Sequence, residues 1–386
     1  MIEEGSAVKM LSDTLAHDFS NATPNYAQTY SGSDRKQGIL WNSIPCLVKF
    51  PSKHAKRTDM STSYVNNIFG EYIGSHIAQS IGLPAQDTFL GYYHDEPCVV
   101  CVDFKKQGEN LIEFQDFLKM RYNSDERKRH VNLKQLYDTI ADPRLPLAAI
   151  QKAAIDQYWE IFVIDAFLGN FDRHAGNWGY IHKDGRLTPS PTYDYGSTLF
   201  PQLSDFGREE KLNDPQAILE RVFVFPSSQL VLSSEKTGRV GYYDMLCSGL
   251  IPSLSKAIRK VAKNIDMQKI NCIIDQTPMA TDMQKDFYKT ILKCRKQLII
   301  DKALDLAMAG QYDENAKNRI ETGQSITSAE VRKLLLECGN DLSCAIGACV
   351  AEEIFVFPKG EKSPLPEIQQ NIQDIRKTIP DPGMGL

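Results

Sequence analysis

The stretch GNFDRHAGNWGY, Gly169–Tyr180, sets an acid, an arginine, a histidine and two asparagines between glycines, directly after the apolar run WEIFVIDAFL of 159–168. Such a run reads as a buried helix, and Gly169 at its end lets the chain turn away. The polar loop is thus presented from a rigid base. Downstream, NWGYIHKDGRLTPSPTYDYGS (177–197) contains Asp184-Gly185, a two-residue hairpin signal between strand-like segments. With those two as the central turn residues, Asn177 falls across from Thr192, and Asp194 lies two residues further along the same strand. Diagonal neighbours of that kind sit ~7–8 Å apart, close enough for an amide and a carboxylate to share one hard cation. Magnesium suits oxygen donors of this type and shares its coordination with substrate phosphates.

A loop acid at Asp172, an amide at Asn177 and a second acid at Asp194 are the parts of a phosphotransfer site: a base and two metal ligands. In protein kinases the first element reads His-Arg-Asp followed by Asn, and the second Asp-Phe-Gly. Here they read Asp172-Arg173-His174 and Asp194-Tyr195-Gly196, with the Asp-to-Asn spacing kept.

A kinase also needs a cation for the phosphates and a helix carboxylate to hold it. From Tyr30 to Phe104 the sequence reads as strands around a single helix: CLVKF (46–50), then TFLGYY and CVVCVDF joined by the turn-like HDEP. The helix lies in SYVNNIFGEYIGSHIAQSIGL, with apolar residues at 68, 69, 72, 73, 77 and 81, and it stops at Gly82. Lys49 stands among apolar strand neighbours and Glu71 on that helix, and the two can pair. Upstream, YSGSDRKQGI supplies Ser31, Gly32, Ser33 and Gly38, small residues whose backbone N–H groups can cover phosphates. Taken singly, a strand lysine can snorkel from an edge, a helix glutamate can be solvated and an Asp-Gly turn can join any hairpin. Their order along the chain is what points to a kinase.

After Phe104 the composition turns helical: LIEFQDFLKMRY (111–122), then 145–170, then amphipathic pieces across 250–309. Beyond Gly310, QYDENAKNRIETGQ reads as a polar linker, SAEVRKLLLEC as a capped helix and the remainder as a tail rich in proline and glycine. DERKRH (125–130) reads as a solvated face. The expected organisation is an N-lobe over 1–104, a helical C-lobe over 105–309 and a C-terminal extension over 310–386.

With 386 residues, 42% apolar and 24% charged, the chain has room for two or three compact units, and its net charge of −5 gives no footprint for nucleic acid or an anionic membrane. The acidic start MIEEGSAVKM is followed by no apolar h-region, and no apolar run approaches the ~18 residues of a spanning helix. A cytoplasmic protein is expected, a secreted effector being the alternative. Nine scattered cysteines favour reduced thiols. Cys98 and Cys101 form a CxxC inside a β-rich run and read as two strand cysteines.

GNFDRHAGNWGYI, PTYDYGSTLFPQL, LVKFPS and EYIGSHIAQSIGLPAQDTFLG together resemble the HipA-like serine/threonine kinases, in particular their single-chain CtkA-like branch, over about Asp18–Ala309. The resemblance implies an α+β, protein-kinase-like bilobal fold with a small β-rich lobe carrying one helix, a larger helical lobe, ATP in the cleft, and magnesium. It makes Asp172 the catalytic base, Asn177 and Asp194 the magnesium ligands, Lys49 the phosphate-contacting lysine and Glu71 its partner. It places the adenine-facing hinge at Val102 to Phe104 and marks Ser31 and Ser33 as candidates for autophosphorylation that ejects the phosphate loop. The extra amino-terminal subdomain of full-length HipA toxins has no counterpart here, which leaves an antitoxin or other regulatory partner open.

A phosphatidylinositol kinase is the strongest alternative, because those enzymes also use Asp-Arg-His-x-x-Asn. They commonly follow it with a basic activation segment, whereas YGSTLFPQLSDFGREEKLND after Asp194 is net acidic, which favours a protein hydroxyl as acceptor. An inactive kinase-fold binding module is the other alternative; all the catalytic polar residues being present argues against it.

Overall fold

The computed structural model describes residues 15–25, 35–51, 67–123, 130–232, 238–351, 355 and 366–378. Three hairpins shape its strands, each closed by two residues at positive φ: Asn42-Ser43, His94-Asp95 and Asp184-Gly185. Turns of this hand match the right-handed twist of the flanking strands. The first two build a six-stranded sheet from β1 (His17–Asp18), β2 (Thr23–Pro24), β3 (Lys36–Trp41), β4 (Ile44–Lys49), β5 (Thr88–Tyr93) and β6 (Glu96–Val102). Its order is β1-β5-β6-β4-β3-β2, with β1 parallel to β5 and the other neighbours antiparallel.

Side-chain alternation along β4 decides where Lys49 goes. Cys46, Val48 and Phe50 join Phe19, Ile39, Phe89, Cys98 and Val100 in a cluster on one face, while Leu47 joins the main core on the other. Lys49 shares the Leu47 face by the period of two, opposite Val99, as Leu47 is opposite Cys101. That face is covered by α1 (Asn67–Ser80), the one helix of this lobe among the described residues. The same alternation puts Cys98 and Cys101 in different clusters on opposite faces, as strand cysteines rather than a ligand pair.

The polypeptide then forms β7 (Asn110–Glu113) and α2 (Phe114–Tyr122). The expected helix of 111–122 therefore starts late: its first three residues lie in a strand that pairs with β9 (Gly179–Lys183), itself paired with β10 (Arg186–Pro189). Further on are β8 (Val131–Asn132), α3 (Leu133–Ile140), α4 (Gln151–Leu168) and β11 (Leu230–Val231), the last parallel to β8. α4 is buried on every side from Tyr158 to Leu168 except at Glu160, the signature of a helix at the centre of a lobe.

The β9–β10 register runs from Arg186 opposite Lys183 to Pro189 opposite Tyr180, the pairing the Asp-Gly turn predicts. Its extension to Asn177 and Thr192 does not form. Pro189 and Pro191 lack the N–H a ladder needs, and the chain crosses to the first lobe instead. There Thr192 donates its N–H to Pro84 O at 2.8 Å, and its carbonyl accepts from Gln86 N at 2.9 Å.

The segment expected as a polar linker is a helix, Glu314–Thr322, that buries Asn315, Ala316, Arg319 and Ile320. Asp313 caps it and accepts from Tyr243 Oη at 2.6 Å, and Arg319 pairs with Asp244 at 2.7 Å. Polar composition misled here because those charges face one another inside the protein. The helix Ser328–Glu337 is capped as expected, by a capping box at Thr327 and Glu330. The proline-rich tail also contains a helix, Pro366–Thr378, whose Asn371 donates to Leu232 O at 2.8 Å. Residues 125–129 of the basic run lie outside the described residues. Among the described residues no single helix is long and apolar enough to cross a membrane.

Candidate active site

The cleft is built on the C-terminal end of α4. Gly169 leaves the helix at φ 70 and donates its N–H to Asp165 O. Asp165, 1% exposed among the apolar last turns of this helix, then organises the loop that follows. Its carboxylate accepts from Asn170 Nδ2 at 2.9 Å, from Arg173 Nε at 2.8 Å and from Arg173 Nη2 at 3.1 Å. Asn170 passes the constraint on, because its Oδ1 accepts the Asp172 N–H at 3.0 Å.

Arg173 ties the two motifs together. Its Nη1 donates to the backbone carbonyl of Asn177 at 2.7 Å and also to that of Tyr193, so one guanidinium nitrogen fixes the residue before Asp194 against Asn177. The cation also lies 4.9 Å from the Tyr195 ring centroid. The hairpin expected to set this juxtaposition does not do so; the buried arginine does. Asn177 Nδ2 donates to Asp172 O at 2.9 Å, which leaves Oδ1 as the other group its amide presents. His174 Nδ1 accepts from Gly176 N at 3.0 Å and helps shape the loop.

On the opposite wall Lys49 Nζ reaches Glu71 Oε2 at 2.9 Å and Asp194 Oδ1 at 3.3 Å. Glu71, 2% exposed, also accepts the Tyr195 N–H at 3.3 Å. α1 can lie this close because a glycine faces the tyrosine: a Cβ on Gly74 would sit 2.6 Å from Tyr195 Cβ. Asp194 holds φ 62, a left-handed conformation that aspartate adopts more readily than most residues with a side chain. Its side chain is 39% exposed toward the cleft.

Burial alone would raise the Asp194 carboxyl, but the nearby Lys49 and Arg173 cations outweigh it and hold the group below its ordinary value. Lys49 mirrors this: burial would lower it, and Asp194 and Glu71 hold it well above the usual ammonium range. Arg173 is likewise raised, burial being outweighed by Asp165. The cleft therefore presents fixed ions of both signs. An ionised carboxylate and an amide oxygen, few in number and hard in character, are the donor set that fits magnesium shared with phosphates.

Of the residues expected to contact nucleotide, Val102 ends β6 with its N–H donated to Asp87 O and its carbonyl accepting from Gln86 Nε2, both at 2.9 Å. Phe104 follows, its ring 5.8 Å from that of Tyr193. Ser31, Gly32 and Ser33 lie outside the described residues. Two residues of the site escaped the sequence reading. Asp165 had a signal, an acid among the apolar last turns of a buried helix, eight residues before an arginine; Gln229, whose Nε2 lies 3.3 Å from Asp172 Oδ1, had none, being 57 residues away.

The sequence and the fold have counterparts among known proteins. The family described as HipA-like C-terminal domain matches residues 30–229. The serine/threonine-protein kinase CtkA of Helicobacter pylori is 32% identical over 289 residues, 74% of this chain and 87% of that protein. The crystal structure of an H. pylori proinflammatory kinase CtkA superposes with TM-score 0.69 and 31% identity, covering 76% of this chain and 98% of that one. A HipA of Shewanella oneidensis, solved with HipB and operator DNA, gives TM-score 0.46 and 16% identity over 72% of this chain and 67% of that one.

Proposed function

The chain belongs to the HipA-like C-terminal domain family of serine/threonine kinases, and from that premise we propose a division of labour among its cleft residues. The reaction is phosphoryl transfer from ATP to a protein serine or threonine hydroxyl. Asp172 accepts the hydroxyl proton as the acceptor oxygen bonds to the γ-phosphorus and the bond to the β,γ-bridging oxygen breaks. Lys49 meets the α/β-phosphates, held in place by Glu71. Asn177 and Asp194 would hold magnesium, which when bound would neutralise charge on the phosphate oxygens. The adenine edge would meet the backbone between Val102 and Phe104, where the Val102 N–H is already donated to Asp87 O. These residues divide the lobes, 1–104 from 105–309, with 310–386 as an extension.

The observation that carries this reading is the double engagement of Lys49, at 2.9 Å from Glu71 and 3.3 Å from Asp194. It joins a strand, a helix and the metal-binding segment in the arrangement phosphoryl transfer requires. Most of the catalysis is then positioning and charge neutralisation within a preorganised site. The test is incubation of the purified chain with magnesium and γ-labelled ATP. Label on protein serine or threonine that disappears in Asp172→Asn is expected; label confined to added phosphoinositides would overturn it. Phosphosite mapping of the same sample decides whether Ser31 or Ser33 is self-modified.

A further inference from the structure

We propose that Gln229 is a positioning residue for phosphoryl transfer, holding the Asp172 carboxylate from a strand pair outside the catalytic loop. The inference rests on the reading of Asp172 as the base. Gln229 immediately precedes β11 and is 6% exposed. Its Nε2 donates to Phe171 O at 2.6 Å and reaches Asp172 Oδ1 at 3.3 Å.

Chemistry fixes the orientation of this amide. A backbone carbonyl and a carboxylate are both acceptors, so only the NH2 end can face them; the reverse orientation would bring three oxygens together. The far end, Oε1, then faces His130 Nδ1 at 2.9 Å. An amide oxygen only accepts, so that imidazole nitrogen carries the hydrogen. His130 and Gln229 thus set each other's polarity.

The backbone beneath them is fixed from both sides. Gln229 O accepts the Val131 N–H at 2.9 Å, and Leu230 pairs with Val131. Ser228 donates both its N–H and its hydroxyl to Val240 O, and Val240 N–H returns to Leu230 O at 2.9 Å. Asn371 of the C-terminal helix holds Leu232 O. With Phe171 O and Asp172 Oδ1 on one nitrogen, the backbone before the base and one of its oxygens are held together, which limits rotation of the carboxylate. A base displaced by about an ångström can lose up to a hundredfold in rate, so a single remote amide is worth holding here.

The test is steady-state kinetics of the full-length chain with Gln229→Ala, Gln229→Glu and Asp172→Asn. Gln229→Ala is expected to lower kcat roughly tenfold or more, with KM for ATP essentially unchanged and the protein still folded at the assay temperature. Gln229→Glu sets a carboxylate against Asp172 on one side and His130 on the other, and its kcat is expected to recover as pH is lowered, when the protonated acid regains a donor; the parent is expected to show no such recovery. Parent-like kcat in Gln229→Ala alongside an inactive Asp172→Asn overturns the role of Gln229 alone. Loss of kcat only in step with loss of folding also overturns it, reducing Gln229 to a structural residue. An active Asp172→Asn overturns the base assignment and this inference with it.

Discussion

Asp165 and Arg173 form a two-pronged pair inside the protein, Nε to Oδ2 at 2.8 Å and Nη2 to Oδ1 at 3.1 Å, with almost no exposure of either side chain. The remaining guanidinium nitrogen is committed to the Asn177 and Tyr193 carbonyls. The pair therefore joins the end of the central helix to both segments proposed to hold metal. Its planar fork serves all these acceptors at once, which a lysine ammonium cannot do.

Breaking this pair should cost both stability and activity. Asp165→Ala leaves the Arg173 charge buried without its carboxylate, a loss of about 3–5 kcal/mol for pairs of this kind, read by chemical denaturation. Arg173→Lys should keep the charge yet lose most of the kinase rate, since one ammonium cannot span the carboxylate and two carbonyls. An Arg173→Lys protein with the parent's rate would show that the stitching is dispensable.

Gly74→Ala tests the contact between α1 and the Tyr195 segment, because two effects of opposite sign compete. Alanine improves helix propensity by about 1 kcal/mol. The new methyl would stand 2.6 Å from Tyr195 Cβ, and overpacking of this kind costs about 1–3 kcal/mol. The clash should win, moving α1 and with it Glu71 away from Lys49. The expected result is a lower melting midpoint and weaker ATP use; a stabilised, fully active variant would show that α1 has room to spare.

The charge pattern of the cleft gives a signed pH expectation. Asp194 is held below 3.8 in the folded protein, so its stabilising contribution is complete above that value and is lost as pH falls through the lower folded value. Lys49, raised well above 10.5, contributes fully below its unfolded value and loses the contribution only at more alkaline pH. Neither group should produce a limb in the pH–rate profile between about pH 5 and 9. A Lys49→Arg or Asp194→Asn variant that removes a limb within that window would contradict the assignment.

How much of this was legible in the sequence follows from the range of the forces. Lys49 and Glu71 were readable because strand alternation and helical period fix which face each occupies. Asp172 and Asn177 were readable because they lie on one short loop. The contact of Asn177 with the Asp194 segment was expected for the wrong reason: the Asp-Gly turn set the hairpin register correctly, but two prolines ended the ladder before Thr192. Arg173 stood in the motif Asp172-Arg173-His174 without its partner, which lay in an apolar run. Gln229 depends on contacts made by tertiary folding and leaves no local pattern. The same holds for residues 313–322, whose polar composition suits solvent although Asp313 and Arg319 are buried against Tyr243 and Asp244.

That last packing yields a prediction about the extension. Tyr242, Tyr243 and Asp244 are consecutive on one short helix: Tyr242 Oη donates to Asn170 O at 2.7 Å, while the next two hold Asp313 and Arg319. The catalytic loop and the extension thus grip the same turn. Burial pushes the Asp244 carboxyl up to about 7 even though Arg319 pulls it down, so without the arginine it should take up a proton in neutral solution. Because the carboxyl can escape its charge by protonation, Arg319→Ala should cost about 1–3 kcal/mol, while Asp244→Leu with Arg319→Met, which removes both polar groups, should recover much of it. Because Tyr242 holds Asn170, the single variant should also lower the kinase rate, and ending the chain at Ala309 should do the same. A chain ending at Ala309 with the full rate and the same denaturation midpoint would show that the extension rides on the kinase without bracing it.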